Sequence, residues 1–158
     1  MPYVKVRPVV QCKMRALCVK PYPLHPRGCP NYNHKIGCPP AAPYLDKAFD
    51  LLRSCYIVYH AFPLGRHVAR MHRMHPEWSA RQLVCCLYWQ GRARKLLEAE
   101  ILRFSRSYPK LTIERCPEAM GLNVTETLHR VGVPIEWPPQ EVSLTVAFAG
   151  HSIYRNDG

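Results

Sequence analysis

The chain has 158 residues, of which 47% are hydrophobic and 21% are charged, and its formal net charge is +11. This length fits a single domain over residues 1–158, and the apolar content is too high for a disordered basic tail. No apolar stretch is long enough for a transmembrane helix, and the N-terminal segment carries charges where a signal peptide would be apolar. We therefore predict a cytoplasmic protein without a membrane partner.

The N-terminal part of the chain predicts strands and a helix around a loop rich in cysteine and proline. Residues 3–10 partly alternate in polarity, which predicts a strand that ends near Pro8 or lies at a sheet edge. Residues 12–43 show no apolar period and predict an irregular loop. An apolar face at helical spacing predicts a helix over 44–53. The β-branched and aromatic run 55–62 predicts a buried strand.

Two helices are predicted in the middle of the chain. The first is short, covers residues 66–74 and ends before a proline. The second is long and continuous, over 79–107, because leucine, isoleucine and phenylalanine recur there at helical spacing. Ser79 is its predicted N-terminal cap. Gly91 interrupts this helix at a cost of about 1 kcal/mol relative to alanine.

The C-terminal part predicts two more strands and one helix. The strands are expected over 111–116 and 142–149, and the helix over 124–131. Asn123 and Glu126 have the spacing of a capping box at the start of this helix. The alternation of about four strands with helices favours an α/β domain in which helices pack on one sheet.

Eight cysteines in a chain predicted to be cytoplasmic indicate metal binding or redox chemistry rather than disulfides. Cys55, Cys85 and Cys86 fall in apolar segments, which predicts that they pack in the core. The 12–43 loop holds four other cysteines and has few large apolar side chains, so an internal staple is expected to order it. Cys116 follows a predicted strand and precedes a proline, a position well suited to a ligand.

The most distinctive motif of the loop is CPNYNHKIGCPP, at residues 29–40. Its two cysteines are too far apart for one zinc knuckle, and the chain contains no C-x-x-C motif. Iron–sulfur clusters accept thiolates that are more widely spaced. Cys18 is a third candidate ligand upstream of this motif. The spacing thus predicts a metal or cluster site, with an iron–sulfur cluster favoured over zinc.

Two blocks, CPNYNHKIGCPP and CPEAMGLNVTETLHRVGVPIEWPP, resemble those of a family of predicted metal-binding proteins of archaea and bacteria. LYWQGRARKLLEAEI is similar to the long helix of the same family, and the similar segments together cover most of residues 18–149. The resemblance implies a [4Fe-4S] cluster, with zinc as the alternative, and no particular activity. It implies the ligands Cys18, Cys29, Cys38 and Cys116, with Cys12 as the alternative fourth ligand.

The number of ligands decides what such a cluster does. Four thiolates close the cluster for structure or electron transfer, whereas three leave one iron open to act as a Lewis acid on a substrate. In the open case Glu118 and His34 are candidates for proton transfer. Each has a structural alternative, since Glu118 fits a role in bonding backbone amides and His34 a role in capping the loop.

Basic residues form the second functional signal, in the stretches 66–75 and 89–95. Such a footprint attracts phosphate groups, and aromatic residues among them stack on bases. A basic helix face is equally typical of a solvated surface, and tryptophans are equally typical of a core. We predict an RNA or nucleotide partner. The residues predicted to bind its phosphate are Arg92, Arg94 and Lys95.

Three functions remain as predictions. The first is an iron–sulfur protein that carries out sulfur or redox chemistry on RNA or a nucleotide. The second is a zinc-stabilised nucleic-acid-binding module without catalysis. The third is a cluster protein for electron transfer. Phosphate-binding loops, dinucleotide-binding fingerprints and nucleophile elbows are absent from the sequence.

Overall fold

Four antiparallel strands form one sheet at the centre of the fold. The computed structural model describes residues 2–21 and 25–154. The sheet has the order β1-β2-β4-β3, with the strands β1 (Tyr3–Val6), β2 (Cys55–Phe62), β3 (Thr112–Glu114) and β4 (Ser143–Gly150). All four predicted strands are confirmed, and each lies within its predicted bounds or one residue beyond them.

Helices complete this mixed α/β domain, which confirms the predicted fold class. Those in the described residues are α1 (Cys12–Ala16), α2 (Leu45–Ala48), α3 (Leu64–Met74), α4 (Ala80–Leu83), α5 (Gln90–Ser107) and α6 (Val124–His129). None of these six has the length and apolarity needed to cross a membrane. Helix α1 lies inside the segment that was expected to be irregular throughout.

The sheet is covered on both faces. Ile57 of β2 pairs with Phe148 of β4, and both pack into a core formed with α2 and α6. The next pair, Val58 and Ala147, points to the other face and packs against α5. Successive residues of a strand point to opposite faces, so two central strands that are apolar on both faces require a layer on each side. The helices supply those layers.

The prediction of one continuous helix over 79–107 is wrong, because residues 84–89 separate α4 from α5. The break lies upstream of the interrupting glycine, which is inside α5. Its cause is Trp89, whose ring is buried and stacks on Phe62 with 5.2 Å between the ring centroids. The Trp89 indole N–H also donates to the Val84 carbonyl at 3.1 Å. The burial of one large aromatic side chain therefore overrides the helical period.

Both predicted helix caps are present, in different forms. Ser79 and Gln82 form a full capping box at α4, each side chain accepting from the other's backbone N–H. Asn123 caps α6 by accepting from the Glu126 N–H at 3.0 Å. The Asn123 N–H donates to the Val9 carbonyl instead of completing the predicted box. This bond ties the start of α6 to the segment after β1.

Of the three cysteines predicted to pack in the core, only Cys55 is buried. Burial raises the pKa of its thiol to about 11. Cys85 is half-buried and Cys86 is exposed, so the prediction is wrong for Cys86. Both lie in the break between α4 and α5, where the helical period that suggested burial is lost.

Thr127 provides a test of the contact between α6 and the segment after β1. Its side chain is fully buried, and its Oγ1 accepts from the Val9 N–H at 3.0 Å. Thr127→Val keeps the shape but removes this acceptor, so we expect it to lower the free energy of unfolding by about 1–3 kcal/mol. Urea denaturation measures this change. The exposed Thr125, changed to valine in the same helix, is the control, and equal losses in both variants would contradict the assignment.

Candidate metal centre and basic cleft

Cys18 and Cys29 are held next to each other by their backbones. Cys18 lies in a 3-10 turn (Leu17–Val19) directly after α1, and the Cys29 N–H donates to its carbonyl oxygen at 2.7 Å. Gly28 allows this approach, because its φ is +83° and a Cβ there would lie 2.6 Å from the Cys18 carbonyl oxygen. Glycine adopts such a φ without steric cost. The turn at Gly28 therefore lets the backbone of Cys29 lie against that of Cys18.

Cys38 is positioned by a turn that leads towards α2. Its carbonyl oxygen accepts from the Ala42 N–H at 3.0 Å. Arg15 of α1 donates to the Pro40 carbonyl at 3.2 Å, and its guanidinium lies 4.4 Å from the centroid of the Tyr44 ring. The segment that follows Cys38 is thus tied to the helix that precedes Cys18.

Cys116 reaches the same region from a distant part of the chain. It follows β3, as predicted, and its N–H donates to the Glu114 carboxylate at 2.8 Å. The next 3-10 turn, Pro117–Met120, packs against α1. The Gly121 carbonyl after this turn accepts from the Gln11 N–H, one residue before α1, at 2.8 Å.

The four predicted ligands are close enough to interact electrostatically. Burial is the main factor that raises the pKa of Cys18, and the Cys29 and Cys38 thiolates raise it further. Burial also raises the pKa of Cys116, where the Lys35 ammonium opposes the rise and Cys38 adds to it. Thiols from three separate segments therefore share one region of the molecule.

The donor chemistry of this region fits a metal or a cluster. All eight cysteines are free thiols, so a disulfide occupies none of the four, and thiolates are ligands of both zinc and iron–sulfur clusters. Within residues 2–21 and 25–154, no three Cys, His, Asp or Glu side chains are grouped so that they could hold a metal ion as they stand. Cys12, the alternative fourth ligand, is exposed at the start of α1, whereas Cys116 is half-buried.

Glu118 lies beside the thiols, and His34 lies on the surface of the loop. Glu118 raises the pKa of Cys18, after burial and the Cys29 and Cys38 thiolates, and it also raises that of Cys116, after burial and Glu114. Its carboxyl group lines an apolar cavity of about 680 Å³ together with Leu17. More than a third of Glu118 is exposed, yet the protein atoms around the cavity raise its pKa by desolvation. Because the cavity is open to solvent, the side chain is partly exposed, while the protein atoms around it still raise its pKa.

A cleft of about 420 Å³ lies between the end of β2, helix α3 and the start of α5. We call it the basic cleft. Arg92, one of the three residues predicted to bind phosphate, lines it, whereas Arg94 and Lys95 are exposed on α5 outside its lining. The basic stretch of α3 contributes its other arginines, which are Arg66, Arg70 and Arg73.

The aromatic residues near the cleft differ in their roles. Trp89 is buried and belongs to the core, which was the structural alternative for the tryptophans. Tyr88 lines the cleft and is 54% exposed. Trp78 stacks on His75 with 4.1 Å between the ring centroids. Of the three aromatic side chains, Tyr88 is therefore the one that lines the cleft and remains exposed to a ligand.

No family model, curated protein or solved structure matches the chain. The resemblance of its two cysteine-containing blocks to metal-binding proteins therefore stays a prediction. The geometry of the thiols and of the basic cleft carries the functional argument.

Sequence reasoning missed His60, which lines the basic cleft. It stands near the end of a strand among aromatic and apolar residues, and nothing in the local pattern separates it from them. The spacing of Arg66 and Arg70, one helical turn apart, was the available signal for a basic face of α3.

Proposed function

We propose that this protein binds a [4Fe-4S] cluster and acts in sulfur or redox chemistry on RNA or a nucleotide. The proposed ligands are Cys18, Cys29, Cys38 and Cys116. The observation that carries the proposal is that backbone hydrogen bonds, and the packing of the turn after Cys116 against α1, bring cysteines from three segments of the chain into one region. Free thiols persist in a reducing compartment, which supports a cytoplasmic location.

Backbone contacts made by the chain itself bring the cysteine-bearing segments near one another. The Cys29 N–H bonds to the Cys18 carbonyl, Arg15 holds the segment after Cys38, and the Gln11 N–H bonds to the turn after Cys116. When bound, an iron–sulfur cluster supplies one-electron transfer or an open Lewis-acidic iron. Glu118, which lines the adjoining cavity, is the proposed group for exchange of a proton with a substrate there.

The net charge and the basic cleft support an RNA or nucleotide partner. The chain carries 22 lysines and arginines against 11 acidic residues, and such an excess favours binding to phosphate groups. The cleft gathers part of this charge in one concave site. Concave sites of this kind are where small ligands usually bind.

Substitution of one ligand tests the cluster. We expect protein purified without oxygen to absorb visible light and to contain iron and acid-labile sulfide in equal amounts. Cys29→Ser is expected to lose most of both, because it removes a thiolate from the proposed site. The control is Cys86→Ser, since Cys86 is an exposed free thiol outside the site, and it is expected to retain both. Elemental analysis and the visible spectrum measure the result.

The same measurements distinguish the alternatives. Colourless protein that carries zinc would contradict the cluster and support a zinc-stabilised nucleic-acid-binding module. Protein that carries no metal under these conditions would contradict both. Cys116→Ser compared with Cys12→Ser identifies the fourth ligand. Retention of the cluster in both variants would favour three ligands and an open iron.

A further inference from the structure

Four arginines line the basic cleft, and no carboxylate is among its described lining residues. Arg66, Arg70 and Arg73 have the spacing of one face of α3, and Arg92 comes from α5. None of the four forms an ion pair within residues 2–21 and 25–154. Clustered guanidinium groups repel one another, so an anion bound among them is stabilised, and guanidinium matches phosphate with two parallel hydrogen bonds.

Two imidazoles of the cleft each have a buried nitrogen that lacks a hydrogen-bond partner in the described part of the chain. These atoms are Nε2 of His60 and Nε2 of His67. His67 is only 7% exposed, and buried polar atoms in proteins are nearly always hydrogen-bonded. Burial and the neighbouring Arg70 lower the pKa of His67. An imidazole N–H can donate to a phosphate oxygen, which would satisfy such an atom.

The size and the aromatic lining of the cleft limit what it can hold. Its volume of about 420 Å³ suits one small ligand, since such pockets measure roughly 300–1,000 Å³. Phe62 and Trp89 stack on each other within its lining. Tyr88 packs against Trp78, with 4.8 Å between the ring centroids, and the exposed remainder of its ring at the same site is a stacking surface for a base.

From this arrangement we propose that the basic cleft binds one nucleotide unit. Arginines of α3 and α5, together with the imidazoles of His60 and His67, hold the phosphate, and Tyr88 stacks on the base. The inference rests on the proposed RNA or nucleotide partner and is independent of the cluster. A free nucleotide and one nucleotide unit of single-stranded RNA both present a phosphate and a base, so the cleft fits either.

Calorimetric titration with adenosine monophosphate at low salt tests the proposal. We expect Arg70→Gln to weaken binding about tenfold, because it removes a charge-assisted contact with the phosphate. Arg106→Gln is the matched control, since Arg106 is exposed in the last turn of α5 outside the cleft, and it is expected to change the affinity less than about twofold. Adenosine is expected to bind more weakly than its monophosphate. Tyr88→Ala is expected to weaken binding of the monophosphate but not of inorganic phosphate.

Two results would overturn the proposal. One is an equal loss of affinity in Arg70→Gln and Arg106→Gln, and the other is binding of adenosine as tight as that of its monophosphate. Tighter binding of a short single-stranded RNA than of the monophosphate, with a loss of RNA affinity in Arg70→Gln, supports the cleft and identifies an RNA strand as its ligand. Equal affinities for the RNA and the monophosphate, both weakened in Arg70→Gln, support a free nucleotide as the ligand.

Iron and sulfide measured on the same samples separate this proposal from the cluster. Colourless protein that binds adenosine monophosphate through Arg70 supports the cleft and contradicts the cluster. Cluster-loaded protein that binds neither the monophosphate nor RNA contradicts the cleft and leaves the cluster supported.

Discussion

Gly28→Ala is expected to weaken binding of the metal or cluster by roughly 10- to 100-fold, the range typical of residues that position ligands. A methyl group at this position would lie 2.6 Å from the Cys18 carbonyl oxygen and 2.8 Å from the Val19 carbonyl carbon. Both are backbone atoms, so neither can move aside without displacing the turn. The left-handed φ adds about 1–2 kcal/mol for a residue with a Cβ. The Cys29 thiol would therefore move away from Cys18.

Gly37→Ala is the matched control for this prediction. Gly37 lies in the same loop, next to Cys38, but a Cβ there meets no atom within 4 Å. We expect this variant to bind iron and sulfide as the wild type does. Metal content measured after reconstitution with limiting iron and sulfide compares the two variants. Equal retention in both would show that the contact between Cys18 and Cys29 does not form the site.

The sheet was predictable because its signal is local. The run over 55–62 and the segment over 142–149 are rich in β-branched and aromatic residues, and both became central strands. The break after α4 was not predictable from periodicity, because residues 84–89 continue the apolar pattern of a helix. What breaks the helix is the burial of Trp89 against Phe62. That contact joins distant parts of the chain, which a local pattern does not contain.

The candidate metal centre was predictable to a different degree for each proposed ligand. Cys29 and Cys38 stand in a loop whose composition excludes ordering by burial, so their spacing already indicates a ligand pair. Cys116 was predicted to be a ligand because it follows a strand and because its sequence block resembles that of a metal-binding family. Its approach to Cys38 depends on how the 3-10 turn after it packs against α1. The spacing of the cysteines along the chain does not reveal this packing.

The basic cleft was predictable only in part. The two basic stretches were visible in the sequence, but the residues chosen from the second stretch included Arg94 and Lys95, which lie outside the cleft. The cleft depends on how α5 sits against α3, and the unpredicted break before α5 sets where that helix begins. The unpredicted break thus left the approach of α5 to α3 out of the sequence prediction.

Removal of the metal or cluster is expected to unfold residues 12–43 while the sheet stays folded. Pro39 and Ala42 are the buried apolar side chains in the described part of this segment. The side chains that fill the two cores around the sheet come from other elements. We therefore expect binding of the proposed metal or cluster to supply most of the free energy that orders the segment, as in small domains whose folding is coupled to a metal.

Hydrogen exchange with and without a chelator measures this difference, under reducing conditions that prevent disulfide formation. The amides of Cys29, Asn33 and Cys38, which donate to carbonyl groups within the segment, are expected to exchange about tenfold or more faster after removal. The amides of Ile57 and Val58 in β2 are the internal control and are expected to keep their rates. Unchanged protection of the three loop amides would mean that backbone contacts alone order the segment. Such a result would contradict a structural role for the bound group, because a staple that stabilises a loop must leave it less protected when removed.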